Sequence, residues 1–297
     1  MKSTKPNFFI IGAPKCGTTS WARWLSDHQQ VYMPRWKEPH FFNTDENWVH
    51  TSTLKHYERL FQGATKVHEA IGEASVWYLY SRAAVPNIEL YSPGAKYIVC
   101  LRSPIEMAYS LHGQSVFAGT ENLFEFEVAW RESDARRQGR SVTRRCREPK
   151  HLVYKDVCKL GDQLERLMSI ADSSRVLPVL LDDVKKNPPA EYQRVLKFLG
   201  AEDDGRVVFP VTNSAKERRS SILRRAVMVL GAAKRSLGIN RGLGLLNRID
   251  GRNHRARPRT PMSEEMRREL ENHFETDIIK LGKLLDRDLT HWLGSKV

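Results

Sequence analysis

The chain has 297 residues, of which 40% are hydrophobic and 28% charged, a composition that is ordinary for a globular protein and sufficient for one large α/β domain. It has no run of about 18 apolar residues and no apolar signal-peptide core at its N-terminus, which excludes a predicted membrane span and predicts a cytoplasmic protein. Its cysteines show no CxxC spacing, which favours reduced thiols over disulfides or a zinc site; they are Cys16, Cys100, Cys146 and Cys158.

The formal net charge is +13, and the excess is concentrated in one part of the chain. Residues 214–260 contain 13 lysines and arginines against only Glu217 and Asp250, which gives this segment a local charge of +11. Such a segment is typical of proteins that bind acidic glycans, membrane surfaces or nucleic acids, and it can also help to seat a phosphate-bearing cofactor. A solvated basic surface is the alternative, and composition does not decide between them.

The first predicted element is a buried strand at 8–11, where four consecutive apolar residues precede a glycine. Gly12 and Gly17 then bracket a loop of four residues, and a helix is predicted to begin at 18–20 and to continue through 21–25. A glycine loop that leads into a helix binds anions, because free backbone N–H groups and the positive end of the helix dipole converge there. The candidate ligand residues are Lys15, Cys16, Gly17, Thr18, Thr19 and Ser20.

The position of the lysine in this loop argues against the usual nucleoside triphosphate site. That site requires Lys directly after the second glycine, followed by a Ser or Thr that holds Mg²⁺. Here Thr18 follows Gly17, and Lys15 lies inside the loop. The loop therefore predicts a phosphate-bearing nucleotide without metal-dependent triphosphate chemistry. The alternative is an ordinary strand, turn and helix that contains a lysine by chance.

The segment KEPHFF at 37–42 supplies a candidate general base. Pro39 disfavours helical geometry at Glu38, so a loop or a short extended piece is expected. A carboxylate near Lys37 and His40, in a loop after the helix that follows the anion-binding loop, is suited to take a proton from an attacking hydroxyl or amine. His40 is the second candidate base. The alternatives are a surface glutamate with solvated neighbours and a histidine that only packs beside the adjacent residues.

A second buried strand is predicted at 95–102, and Ser103-Pro104 ends it and begins a helix. Arg102 therefore lies at the carboxyl end of a strand, where open α/β sheets bind ligands, and its planar guanidinium suits a phosphate dianion. Ser110 lies eight positions further along, about two helical turns. The other predicted elements are helices over 54–60, 123–140, 155–170, 188–199, 222–237 and 263–285, a third strand over 175–181, and loops over 144–150 and 238–261.

Two motifs carry a resemblance to a known family. The loop GAPKCGTTS at 12–20 resembles the 5′-phosphosulfate loop of sulfotransferases that use 3′-phosphoadenosine 5′-phosphosulfate (PAPS). KEPHFF resembles the matching segment of the heparan sulfate N- and 3-O-sulfotransferases and of many uncharacterised bacterial relatives. The resemblance extends from residue 7 to the C-terminus and is strongest before residue 110. It implies a three-layer α/β fold of P-loop type with a central, mostly parallel sheet.

The resemblance also implies roles for the candidate residues. Lys15 and the backbone N–H groups of 16–19 would hold the 5′-phosphosulfate, and Lys15 would offset charge on the leaving phosphate. Arg102 and Ser110 would hold the 3′-phosphate, and Glu38 would be the catalytic base. A late loop at 210–220 resembles the segment that closes over the adenosine and 3′-phosphate in relatives. Its candidate phosphate contacts, among which the sequence does not choose, are Lys216, Arg218 and Arg219.

One position departs from the family pattern. The stretch at 70–80 resembles a Glu-Lys-(Ser/Thr) segment whose Lys supports the transferring sulfonate, but this chain has Ala74 at that position. Lys15 would then stabilise the leaving phosphate alone, or Lys37 would help. Glu73 and Ser75 are pocket candidates, with structural hydrogen bonding as the equal alternative.

We therefore expect a single sulfotransferase domain over 1–297, with a nucleotide-binding core over about 7–200 and a basic, helical C-terminal part over about 205–297. Its expected reaction moves a sulfuryl group from PAPS to a hydroxyl or amine of a carbohydrate or glycolipid, leaves 3′-phosphoadenosine 5′-phosphate (PAP) and requires no metal. The rival interpretations are a P-loop kinase that uses ATP on a small molecule and a non-catalytic polyanion-binding protein. No nucleic-acid partner is expected, a membrane or polyanion contact would use 214–260, and the oligomeric state is open.

Overall fold

The computed structural model describes residues 5–47, 51, 53–210, 216–218, 254–256 and 261–294. The chain divides into two compact units, one formed by 1–212 together with 263–297 and the other by 213–262. The larger unit contains a parallel sheet and its helices, and the smaller unit contains one strand pair. Each unit is described by itself below.

The larger unit is built on a five-stranded sheet in which every pairing is parallel. Its strands are β1 (Phe8–Gly12), β2 (Val31–Tyr32), β3 (Ala70–Ala74), β4 (Lys96–Leu101) and β5 (Val176–Leu180), in the spatial order β2-β3-β1-β4-β5. All five residues of β1 are buried, which requires cover on both faces, as its apolar run predicted. The expected α/β fold with a central parallel sheet is confirmed.

Helices connect and cover these strands. The α-helices are α1 (Thr18–Ser26), α2 (Leu54–Arg59), α3 (Ala84–Tyr91), α4 (Pro104–Ala118), α5 (Phe126–Arg131), α6 (Ser133–Arg137), α7 (Tyr154–Val157), α8 (Leu160–Ile170), α9 (Leu181–Lys186), α10 (Pro188–Leu199) and α11 (Glu264–Leu285). Short 3₁₀ helices occupy Pro149–Leu152, Ser173–Arg175 and Thr290–Leu293. In the part of the chain that the structure describes, no helix combines the length and apolar character that a membrane crossing needs.

Capping residues set the ends of the best-predicted helices. The Asn187 side chain accepts a hydrogen bond from the N–H of Ala190 at the start of α10, and Gly200 ends that helix in the left-handed conformation. The Ser263 hydroxyl accepts from the N–H of Met266 at the start of α11. Both helices match their predicted bounds because these signals are local in sequence.

Long-range contacts account for the two helices that differ from prediction. The helix expected over 155–170 is interrupted between α7 and α8, because the Asp277 carboxylate on α11 accepts from the N–H groups of Gly161 and Asp162 at 2.9 Å each and caps a new helix there. The helix expected over 123–140 divides into α5 and α6. In α6, Arg136 turns inward to a fully buried ion pair with Glu121 at 2.9 Å.

The smaller unit contains two short antiparallel strands. Strand β6 (Lys216–Arg218) pairs with β7 (His254–Ala256), with Glu217 opposite Arg255. Both strands lie in stretches that were expected to be loops, 210–220 and 238–261. The helix expected over 222–237 lies outside the described residues.

The sheet order defines where a ligand site is expected. Strand β1 lies between β3 and β4, so the chain crosses from one side of β1 to the other after β3. Open parallel sheets bind ligands outside the carboxyl ends of their strands at such a switch point. The segments that follow β1, β3 and β4 therefore form the edge at which the candidate site should lie.

Candidate active site

The loop after β1 is shaped by two glycines. At Gly12 φ is +149°, and a Cβ there would lie 2.9 Å from both the Leu79 Cβ and the Val76 carbonyl oxygen, so a larger residue does not fit. At Gly17 φ is +92°, and this residue caps α1, which begins at Thr18. The loop between them therefore delivers the N-terminus of α1 to the carboxyl end of β1, as the sequence predicted. First-turn N–H groups of a helix have no carbonyl acceptor within it, which makes this end suited to an anion.

Arg102 and Lys15 are linked across the ends of β1 and β4. Arg102 follows β4 directly, and its Nη1 donates to the Lys15 carbonyl oxygen at 3.2 Å. Its Nη2 pairs with the Glu106 carboxylate, and its Nε is buried without a hydrogen-bond partner among the residues that the structure describes. The Lys15 ammonium donates to Gln114 Oε1 at 3.2 Å. Two cations thus occupy the ends of adjacent strands beside a helix N-terminus.

One stripe of α4 faces this pair of cations. Glu106 contacts Arg102 and Gln114 contacts Lys15, and Ser110 lies midway between them at helical spacing, with 6% of its surface exposed. The sequence expectations included Ser110 but neither Glu106 nor Gln114. The signal that would have found them is the spacing of four residues on either side of Ser110.

The remaining loop residues divide between the core and the surface. Cys16 is buried with its Sγ 3.9 Å from the Met107 sulfur, and burial raises the pKa of its thiol to about 12 although Arg102 and Lys15 act to lower it. Its N–H donates to the Ala13 carbonyl oxygen at 3.3 Å, so Cys16 serves packing and turn geometry in this structure. Thr18 is also buried, and the two following residues, Thr19 and Ser20, are partly exposed.

The KEPHFF segment lies against the end of β3. The N–H of Glu38 donates to the Ala74 carbonyl oxygen at 3.0 Å, and the loop bends sharply with φ of +65° at Glu38 and +47° at His40. Of the five non-glycine residues with positive φ that the structure describes, three are Lys15, Glu38 and His40. Strained backbone of this kind persists where surrounding contacts hold it, and it clusters at functional sites.

The Glu38 carboxylate is held between two possible cations. Its Oε1 lies 2.6 Å from Lys37 Nζ and its Oε2 lies 3.5 Å from His40 Nε2, and 31% of the side chain is exposed. Burial acts to raise the pKa of Glu38, but the hydrogen bond from His40 and the charge of Lys37 outweigh it and lower that pKa to about 2. Glu38 is therefore ionised at neutral pH and can accept a proton.

A second carboxylate, Glu73 of β3, lies directly beneath this segment. It is fully buried and accepts hydrogen bonds from Tyr57 at 3.1 Å, Tyr78 at 2.8 Å and Ser75 at 2.7 Å. Burial raises the pKa of Glu73 to about 7, although the hydrogen bonds from Ser75 and Tyr78 act to lower it. The sequence left its role open between pocket and structure.

The structure brings the predicted residues of the larger unit to one edge of the sheet. Lys15, Arg102 and Glu38 all follow or flank the carboxyl ends of β1, β4 and β3. Lys216 and Arg218 lie in β6 of the smaller unit. Arg219 lies outside the described residues.

The family model described as a sulfotransferase domain matches residues 5–222 of the chain. The chain is 30% identical over 113 residues to the membrane-associated sulfotransferase kil1 of Dictyostelium discoideum, which covers 37% of this chain and 23% of that protein. It is 26% identical over 207 residues to the human bifunctional heparan sulfate N-deacetylase/N-sulfotransferase 2, which covers 66% of this chain and 22% of that protein. The chain thus spans less than a quarter of the length of these two relatives.

The fold is also similar to a solved structure of that family. The crystal structure of a sulfotransferase from Alicyclobacillus acidocaldarius superposes with a TM-score of 0.72 at 24% identity, over 97% of this chain and 98% of that chain. The matched region of the family model includes the loop after β1, the KEPHFF segment and Arg102. The chain therefore belongs to the sulfotransferase family.

Proposed function

We propose that this domain transfers a sulfuryl group from PAPS to a hydroxyl or amine of an acceptor and releases PAP. The observation that carries the proposal is the contact of Arg102 with the Lys15 carbonyl oxygen, at 3.2 Å. This contact couples a cation at the end of β4 to the anion loop at the end of β1. A nucleotide with phosphates at both its 3′ and 5′ positions matches two such sites.

PAPS fits the residues at this edge. Arg102 would hold the 3′-phosphate, because its Nε is buried without a partner among the described residues and its fork can donate two parallel hydrogen bonds. Ser110, on the same stripe of α4, would add a hydroxyl donor. The 5′-phosphosulfate would lie at the N-terminus of α1, where the backbone of 17–19 and the Lys15 ammonium supply positive potential.

Glu38 would act as the general base. The acceptor oxygen or nitrogen forms a bond to sulfur while the bond from sulfur to the bridging oxygen breaks, and that electron pair stays on the phosphate of PAP. The acceptor proton passes to the Glu38 carboxylate, which its neighbours keep ionised. Lys15 offsets the charge that grows on the bridging oxygen, so the chain contributes positioning and electrostatics.

Lys37 would supply the second cation, in place of the family lysine where this chain has Ala74. The support is that the N–H of Glu38 donates to the carbonyl oxygen of Ala74 at the end of β3, and that Lys37 Nζ lies 2.6 Å from the Glu38 carboxylate. When Lys37 turns from Glu38 to the transferring sulfonate, Glu38 loses the charge that lowers its pKa. The carboxylate would then become a stronger base at the moment of transfer.

The acceptor is proposed to be a carbohydrate or glycolipid. The support comes from two relatives whose names state such substrates: the human heparan sulfate enzyme, and mouse carbohydrate sulfotransferase 15, which is 29% identical over 147 residues and of which the chain covers 26%. A cytoplasmic location, a single domain over 1–297, and a membrane or polyanion contact through 214–260 stay predictions.

A thermal-shift experiment tests the donor site. PAP at a hundredfold excess over its Kd should raise the Tm by about 5 °C, whereas AMP and ATP with Mg²⁺ should not. The shift should disappear in Arg102→Ala. The matched control is Arg175→Ala, because Arg175 also binds a carbonyl and a carboxylate, those of Ala95 and Glu89, but at the amino end of β5.

Each alternative outcome has a definite meaning. A shift only with ATP and Mg²⁺ would replace the proposal by a kinase. The absence of a shift with every nucleotide would favour the polyanion-binding interpretation, which predicts strongly salt-dependent binding without any need for Arg102. Equal loss of the PAP shift in both arginine variants would mean that Arg102 acts only through stability.

A further inference from the structure

The buried carboxylate of Glu73 accepts three hydrogen bonds, and the proposed transfer of the sulfuryl group involves none of them. Its side chain is fully buried in β3, and Oε1 accepts from the hydroxyls of Tyr57 and Tyr78 while Oε2 accepts from the hydroxyl of Ser75. Burying a carboxylate costs free energy unless several donors compensate it. Three hydroxyl donors around one carboxylate provide this compensation.

Two of these hydroxyls also hold the segment that carries the candidate base. The Ser75 oxygen accepts from the N–H of His40 at 3.2 Å. The Tyr78 oxygen accepts from the N–H of Phe41 at 2.9 Å and from that of Phe42 at 3.3 Å. Every backbone N–H from His40 to Phe42 therefore ends on a hydroxyl whose proton points to Glu73.

The carboxylate sets the direction of all these hydrogen bonds. In its ionised form Glu73 only accepts, so each hydroxyl then points its proton at Glu73 and its lone pairs at the loop, which is the arrangement of this structure. An amide at the same position would donate through its NH₂ group. At least one hydroxyl would then have to turn its proton towards a backbone N–H, which is repulsive.

Aromatic packing keeps the same segment against the network. The Tyr57 ring stacks on Phe41 with centroids 4.7 Å apart, and it meets Phe42 edge-on at 5.1 Å. The Tyr57 hydroxyl donates to Glu73 but makes none of the hydrogen bonds to the 40–42 backbone. Tyr57 and Tyr78 thus donate to the same carboxylate oxygen, but only the Tyr78 hydroxyl also accepts hydrogen bonds from the loop backbone.

We propose that Glu73 is the positioning residue of this active site, and that through the hydroxyls of Ser75 and Tyr78 it fixes the bent segment 38–42 and so the orientation of Glu38 and His40. The proposal rests on the proposed function, because it gives Glu38 the task of accepting the acceptor proton. The strained φ at Glu38 and His40 requires such a support from outside the segment.

The pair Tyr78→Phe and Tyr57→Phe provides the matched test. Each change removes one hydroxyl from the same carboxylate oxygen and keeps the ring. PAPS turnover is followed as PAP release with water as the acceptor. Tyr78→Phe should lower the rate about tenfold, and Tyr57→Phe less than about threefold, because only the first frees the loop backbone. The Kd for PAP should stay within about twofold of wild type in both.

A double-mutant cycle separates positioning from general stability. Glu73→Gln should lower PAP release about 10²-fold, because it reverses at least one hydroxyl direction while the side chain keeps its size. The double variant Glu38→Gln/Glu73→Gln should lose little more than Glu38→Gln alone, since Glu73 acts through Glu38. A purely structural Glu73 would instead give losses that multiply.

Amide hydrogen exchange gives a readout that does not depend on turnover. Exchange at His40, Phe41 and Phe42 should accelerate in Tyr78→Phe and Glu73→Gln and stay near wild type in Tyr57→Phe. Equal acceleration in the two tyrosine variants, or multiplying losses in the cycle, would overturn the proposal. Absence of PAP binding in wild type would instead reject the proposed function, and the exchange comparison would still decide whether Glu73 holds the loop.

Discussion

The donor side and the base side of the candidate site are held in different ways. On the donor side, glycine geometry forms the loop and Lys15 contacts Gln114. Arg102 contacts the Lys15 carbonyl oxygen and the Glu106 carboxylate, and its Nε is without a hydrogen-bond partner within the described residues. On the base side, Glu38 lies between Lys37 and His40, and the backbone beneath it is tied to a buried carboxylate. The donor side keeps the Nε of Arg102 available to an anion, whereas the backbone N–H groups of 40–42 on the base side are all hydrogen-bonded within the protein.

This difference indicates that one side of the site is suited to bind the anionic donor and the other to transfer a proton. Available donors suit the binding of a polyanion whose charge they complement, and such binding tolerates small movements of the cations. Proton transfer requires heavy atoms within hydrogen-bond reach, so the base side must be fixed in advance. Variants on the two sides should therefore differ in whether they change PAP affinity or only the rate.

The largest effect is expected at Glu38. Glu38→Gln should lower kcat by about 10²- to 10⁴-fold with little change in PAP affinity, because it removes the proton acceptor and no donor contact. The measurement is PAP release from PAPS together with PAP binding. The control is Glu69→Gln, an exposed glutamate just before the amino end of β3. A near wild-type rate in Glu38→Gln, with a large loss in His40→Asn, would move the base role to His40.

A loss of about 10²-fold in kcat is expected for Lys15→Ala, because the ammonium offsets charge on the bridging oxygen in the transition state. Lys5→Ala is the control, since Lys5 precedes the amino end of β1 and contacts only the Tyr91 carbonyl and ring among the interactions described. Steady-state kinetics with PAPS measures both. A rate unchanged by Lys15→Ala, with only weaker PAP binding, would confine Lys15 to ground-state binding.

The smallest effect is expected for Lys37, near the end of β3. Lys37→Ala should lower kcat about tenfold, and Ala74→Lys in the same chain should restore part of the loss by returning a cation to that strand end. The removal of Lys37 also takes away a charge that lowers the pKa of Glu38. The acidic limb of the pH–rate profile should therefore move to higher pH. A limb that stays in place would show that Lys37 does not act on Glu38.

Local sequence signals predicted much of the donor side. The apolar run of β1, the two glycines and the hydroxyl-rich helix start are contiguous in sequence, and Arg102 follows β4 directly. Signals of this kind can be recognised from neighbouring residues alone. The ends of α10 and α11 were predicted for the same reason. What sequence neighbours could not show is the contact of Arg102 with the Lys15 carbonyl, which joins residues 87 positions apart.

The amino-acid sequence by itself predicted the parallel fold and the anion loop, and through its resemblance to a family it named Glu38 as the candidate base, with His40 as the second candidate. Only the tertiary structure decided what fixes that base, because the hydroxyls of Ser75 and Tyr78 come to the 40–42 backbone from 35 to 37 positions away. It likewise decided that Glu73, whose role the sequence left open between pocket and structural hydrogen bonding, is fully buried. The physical reason is that a buried carboxylate is stable only where folding assembles its donors from separate segments.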